Sequence, residues 1–199
     1  MTGKRAEHRV TRVQTTEHLP EQAPSLDVRL FGRVRVLRDG CESPPLARQP
    51  AAVLALLALH GGVVHRDHLV QALWPDEGSD VGRARLRNVL SKLRQTTGAS
   101  VQERNESVTL HDTVRCDFTE FVRLASRAVS GVDDREDSYR ASLAAQALWV
   151  GSPLEEFRYS TWAENPRARA FELQARLWKL LPAPEAKRIT PGVTVPYPG

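Results

Sequence analysis

The chain has 199 residues, 41% of them apolar and 26% charged, with a formal net charge of +4 and a pI of about 9.4. That is enough apolar material for one large domain or two small ones, and the positive balance is too mild for a histone-like coating protein that binds by bulk charge. Cys41 and Cys116 stand in no metal-ligand spacing and read as free thiols, the longest apolar run (Ala51 to Leu59) is too short to span a bilayer, and the first residues lack the apolar core of a secretory signal, so the expectation is a cytoplasmic chain with no membrane segment.

Residues 1–25 are polar, show no sustained period and end in PEQAPS, so they read as a flexible leader, either a solvated tail or an arm carrying Arg5, Arg9 and Arg12 to DNA. From Leu26 the pattern alternates: Leu26, Val28 and Leu30 share a face, Val34 and Val36 resume after Gly32, and Asp39-Gly40 is a hairpin signal. A small antiparallel sheet is expected there. Pro50 suits a first helical position, and Val53, Leu54, Leu57 and Ala58 follow at helical spacing until Gly61-Gly62 ends a buried first helix. Arg66 to Trp74 predicts a second short helix, with Leu69, Val70 and Leu73 inward and Pro75 as its stop.

A third helix is expected from Ser79 or Asp80, either of which can cap it, to about Thr97 before Gly98. Between Val81 and Gln102 there is no acidic residue, while Arg83, Arg85, Arg87, Lys92 and Arg94 are all present. Advancing about 100° per residue, Leu86, Leu90 and Leu93 form one seam with Val89 at its edge. The opposite arc holds Ala84, Asn88, Ser91 and Gln95, flanked by Arg87, Arg85 and Lys92. Arginine can bind guanine bidentately and asparagine adenine, and further cations hold phosphates. Base reading is therefore assigned to Arg87, Asn88 and Ser91, with Arg83 and Arg85 as additional candidates, and phosphate contact to Lys92 and Arg94. The run VQERNESVTL then predicts a hairpin whose tip, Arg104 and Asn105, would border the minor groove, although Glu103 and Glu106 are poor company for phosphates. Sheet, three helices and hairpin make a winged helix-turn-helix over residues 26–115, and the partner this predicts is double-stranded DNA.

After Cys116 the segments DFTEFVRLASRAV, SYRASLAAQALWV and ENPRARAFELQARLWKLL all have helical periodicity, separated by the acidic stretch Asp133 to Asp137, read as a solvated loop. Residues 116–181 thus predict an all-α module of about three helices, similar to tetratricopeptide helix pairs, and residues 182–199 an irregular tail. Trp74, Trp149, Trp162 and Trp178 stand at apolar positions near helix ends and are assigned to cores. His60, His65 and His68 lack a converging carboxylate or cysteine, and His65 stands where a helix cap is expected. No phosphate loop or nucleophile motif occurs, so no catalysis and no cofactor are expected.

The pieces LDVRLFGRVRV, VVHRDHLVQALWPDE, RARLRNVLSKLRQ and VTLHDTVRCDFTEF, with ALWVGSPLEEF and Trp162 further on, resemble the Streptomyces antibiotic regulatory protein family. The resemblance spans about Leu26 to Leu181 and rests most on the LWP end of the second helix, the LR and LSKLR spacing of the third, and Asp117 opening the helical module. It implies an OmpR/PhoB-type winged helix joined to a shortened bacterial transcriptional activation domain. It further implies an activator of secondary-metabolite genes that binds promoter direct repeats as side-by-side protomers and recruits RNA polymerase. On the third helix it points to Arg83, Arg85, Arg87, Asn88, Ser91 and Lys92. The long leader and short helical module depart from the family layout. They leave two other readings open: a DNA binder without activation that acts as a competitor, and a helical adaptor whose basic face binds an acidic protein.

Overall fold

The computed structural model describes residues 26–132 and 134–180, so the leader with Arg5, Arg9 and Arg12, the tail and Asp133 lie outside the described residues. The alternating start forms β1 (Leu26–Arg29) and β2 (Arg35–Arg38), antiparallel with Val28 opposite Val36, and a tight turn leads to β3 (Cys41–Glu42). Asp39 and Gly40 both have positive φ, at 50° and 80°, which matches the right-handed strand twist of a two-residue hairpin. The expected sheet is not purely antiparallel. A later strand, β7 (Arg115–Cys116), pairs parallel to β1 and completes the order β3-β2-β1-β7. Two residues carry no readable alternation. What holds β7 there is side-chain chemistry, Arg115 donating to both oxygens of the nearly buried Asp27 at 2.7 and 3.2 Å.

Helix α1 (Arg48–Leu59) buries every residue from Pro50 to Ala58, so it is apolar all round and sits inside the core rather than on it. Pro50 occupies the third helical position, not the first. The first-turn amides have no intrahelical partner in any case, and the ladder starts with Ala51 N–H donating to the Ala47 carbonyl at 3.0 Å. At the far end Gly61 and Gly62 take positive φ, and Gly62 N–H donates to the Leu57 carbonyl at 2.8 Å, closing a Schellman cap. Strand β4 (Val63–His65) follows, too short to stand out in the sequence, and leads into α2 (Arg66–Leu73). The His65 ring caps α2 by accepting from Asp67 N–H at 3.3 Å. Helix α3 (Ser79–Thr97) has Gly78 at its N-cap and no side-chain cap bond, so neither Ser79 nor Asp80 caps it; both are already helical. After one 3-10 turn, β5 (Val101–Arg104) and β6 (Ser107–Leu110) form the hairpin, and β6 also pairs with β4, giving a three-stranded sheet in the order β4-β6-β5.

Helices α4 (Asp117–Ser130), α5 (Arg135–Leu148) and α6 (Thr161–Leu180) pack on one another, with another 3-10 turn at Glu155–Phe157. The acidic stretch after Gly131 is only partly a loop: Asp134 caps α5 by accepting from Asp137 N–H at 2.8 Å, and Glu136 and Asp137 fill the first turn, where carboxylates suit the helix dipole. Helix α6 begins three residues before the ENPRAR run and carries Pro166 inside its second turn. Trp74 is buried, and Trp149 and Trp162 pack against the core, but Trp178 stays half-exposed on α6, against the expectation.

The two halves share a core. Phe31, two residues past β1, stacks on Phe118 at 5.8 Å and meets Phe121 at 5.3 Å and Trp149 at 4.9 Å. Buried Asp117 accepts from Leu30 N–H at 2.7 Å and Phe31 N–H at 3.5 Å, and Glu156 accepts from Val34 N–H at 2.7 Å. Residues 152–155 run beside the β1–β2 connection, where Gly32 N–H donates to Ser152 O at 2.9 Å and Leu154 N–H to Leu30 O at 2.8 Å.

Candidate nucleic-acid interface

The inward face of α3 is Gly82, Leu86, Val89, Leu90, Leu93 and Thr97, all buried. Gly82 is a contact device: a β-carbon there would come within 2.3 Å of a Val70 methyl, so only glycine lets α3 lie this close to α2. The approach of α3 to α2 thus depends on a missing side chain. With the apolar seam fixed against α1 and α2, the 3.6-residue period turns Arg87, Asn88, Ser91, Lys92 and Gln95 outward, and all five are exposed.

The seven helical residues singled out from sequence divide into two groups. Arg83 is held by Asp67 of α2 through three hydrogen bonds of 2.9 to 3.1 Å, and its guanidinium pKa is raised chiefly by that contact. Arg85 is ion-paired with Glu77 in the turn before α3. Arg94 is half-buried and faces the hairpin, where it donates to the Val101 carbonyl at 3.1 Å and to Glu103 at 2.9 Å. In contrast, Arg87, Asn88, Ser91 and Lys92 have no hydrogen-bond or ionic partner among the described residues. Gln95 belongs with this second group, as its place on the outward arc already indicates.

Beyond α3, the hairpin stands as a wing. Asn105 and Glu106 form its two-residue turn with φ of 46° and 61°. Arg66, which the sequence did not single out, ties the wing to the start of α2. Its backbone N–H donates to Glu106 O at 2.8 Å, and its guanidinium lies 3.3 Å from Glu103 and 3.4 Å from Glu106. Glu103 is therefore shared between Arg66 and Arg94, so the wing's two carboxylates are compensated from within. Arg104, one residue on from Glu103 and hence on the other face of the strand, is exposed and unpaired among the described residues.

No protein-family model and no curated protein matches the chain. Among solved structures it is similar to Mycobacterium tuberculosis EmbR in complex with a low affinity phosphopeptide, with a TM-score of 0.62 and 24% identity over 77% of this chain. At that identity the likeness is one of fold. It extends over 44% of the EmbR chain, so this chain spans less than half of that protein's length. The shared region takes in a mixed α/β unit and helices following it.

Other chemistry is sparse. No three potential metal ligands converge among the described residues, and no described helix is long and apolar enough to cross a membrane. Cys116 is buried, which pushes its thiol up to about 11 and leaves it protonated, while Cys41 is exposed. What the α3 surface can do is present a guanidinium, an amide, a hydroxyl and an ammonium in a row along about one and a half helical turns, next to a hairpin carrying an unpaired arginine. Such a row can span base edges and phosphates at once.

Proposed function

We propose that the chain is a sequence-specific double-stranded DNA-binding transcriptional regulator and not an enzyme. In this reading α3 enters the major groove, Arg87, Asn88 and Ser91 read bases, Lys92 holds a phosphate, and Arg104 and Asn105 at the wing tip border the minor groove. The observation that carries it is the contrast along α3, where the outward residues are unpaired and the remaining cations are consumed by the protein itself. Arg83 and Arg85 then act as a reserve: each must leave a carboxylate to reach DNA, exchanging one ionic partner for another. Arg94 is better placed to hold the wing than to hold a phosphate.

The resemblance noted in the sequence extends this to activation of secondary-metabolite genes from promoter direct repeats, with side-by-side protomers and the helical half contacting RNA polymerase. Selection of duplexes from a random pool tests the core of the proposal. An enriched motif is expected, on which Arg87→Ala and Asn88→Ala each lower the specific over nonspecific affinity by about 1–3 kcal/mol, while Lys92→Ala weakens all duplexes alike. Failure to enrich any motif overturns it in favour of an adaptor whose basic face binds an acidic protein. Stimulation in a purified polymerase assay separates an activator from a competitor that only occupies the site.

A further inference from the structure

A cleft of about 830 Å³ opens between α1 and α2 on one side and residues 157–162 of the helical half on the other, with Arg85 of α3 at its edge. Its lining includes no aspartate or glutamate but does include Arg48, Arg85 and His68. Arg85 is already paired with Glu77. Arg48 has no carboxylate partner among the described residues, and its guanidinium stands 5.7 Å from the centre of the Phe157 ring, on the wall of the cleft. The same lining holds aromatic rings: Trp162, which packs on Phe157 at 4.9 Å, and Tyr159, which is 82% exposed and has the Arg158 guanidinium over one face of its ring at 4.8 Å. Amide and hydroxyl groups of Gln71 and Thr161 supply neutral polar contacts around the rim.

We propose that this cleft binds a small aromatic acid, its anionic group on Arg48 and its ring against Trp162 and Tyr159. The proposal goes beyond DNA recognition and is independent of it. The volume falls within the range of about 300–1,000 Å³ usual for small-molecule sites, which favour boundaries between structural units. The charge selects the class: an unpaired guanidinium without a competing carboxylate attracts an anion, and a fork of N–H donors matches a carboxylate in two places. A ligand seated there touches both halves of the molecule, so it joins the walls that Arg48 and Tyr159 represent.

Calorimetric titration of the full chain with 2-naphthoate and with its neutral counterpart 2-naphthamide tests this. One saturable site is expected, with the acid binding about tenfold or more tightly than the amide, as one charged hydrogen-bonded contact allows. Arg48→Gln is expected to remove that preference, and Tyr159→Ala to weaken both compounds without changing their ratio. Both side chains are exposed, so the variants keep the fold, and unchanged circular dichroism and duplex binding verify it. Equal affinity for acid and amide, a preference that survives Arg48→Gln, or no saturable heat up to millimolar naphthoate would each overturn the proposal.

Discussion

Arg87 and Arg94 stand about two turns apart on the same helix, and a helical wheel assigns both to a basic surface, yet their surroundings give them different work. Arg87 projects into solvent, whereas Arg94 bonds the Val101 carbonyl and Glu103 across to the wing. Arg94→Ala is therefore expected to cost about 0.5–2 kcal/mol of stability in urea unfolding and to weaken binding to all duplexes equally, because the wing loses its brace. Arg87→Ala should leave stability within about 0.5 kcal/mol of the parent. A titratable pair gives a second expectation at this scale. His60 is exposed at the end of α1, with its ring 5.1 Å from that of His68, and partial desolvation first, then the His68 charge, lower its pKa from 6.5. The folded state thus binds this proton less readily than the unfolded chain does. The stabilisation is complete above about pH 6.5 and is lost as pH falls through the folded value. Urea midpoints measured at about pH 7.5 and about pH 5.5 should fall further in the parent than in His60→Gln, which cannot take up the proton.

For the elements, periodicity and punctuation located the three N-terminal helices because each carries its own signals: the unbroken apolar run of α1 before Gly61-Gly62, Leu69 and Val70 before Pro75, and the leucine seam of α3 before Gly98. What periodicity could not show is how closely two elements approach. Gly82 reads as a weak helix former, and only its contact with Val70 gives it a purpose. Gly82→Ala is expected to destabilise by about 1–3 kcal/mol, since the valine methyl is on a stiff β-branched side chain that cannot swing away. Val70→Ala in the same chain should recover part of that loss, and a double-mutant cycle by thermal unfolding measures the coupling. The short strands β4 and β7 were invisible for a related reason. Three or two residues hold no pattern of their own and become strands only because β6 and β1 offer them partners.

Across the whole molecule, the joint between the halves governs behaviour. Asp117 accepts backbone hydrogen bonds from Leu30 and Phe31, while burial, outweighing those bonds, raises its carboxyl pKa. Asp117→Ala is expected to cost about 2–3 kcal/mol by leaving buried amides unpaired, and Asp117→Asn about 1 kcal/mol or less, because an acceptor oxygen remains and no charge is buried. With Phe31 packed among Phe118, Phe121 and Trp149, both halves should unfold together. Coincident urea transitions by tryptophan fluorescence and far-ultraviolet circular dichroism are expected, and separate midpoints would show that the joint is weak.

By itself the sequence determined the succession of helices and turns and the outward arc of α3, because hydrophobic spacing, glycines and prolines act within a few residues of where they stand. Only the tertiary structure decided which cations on that arc are free. Asp67 reaches Arg83 from sixteen residues away, Glu103 reaches Arg94 from nine, and Arg66 closes on Glu106 from forty. Ion pairing depends on distance in space, which no helical wheel contains. The same reason hid the cleft at Arg48, whose opposite wall lies about a hundred residues further along the chain.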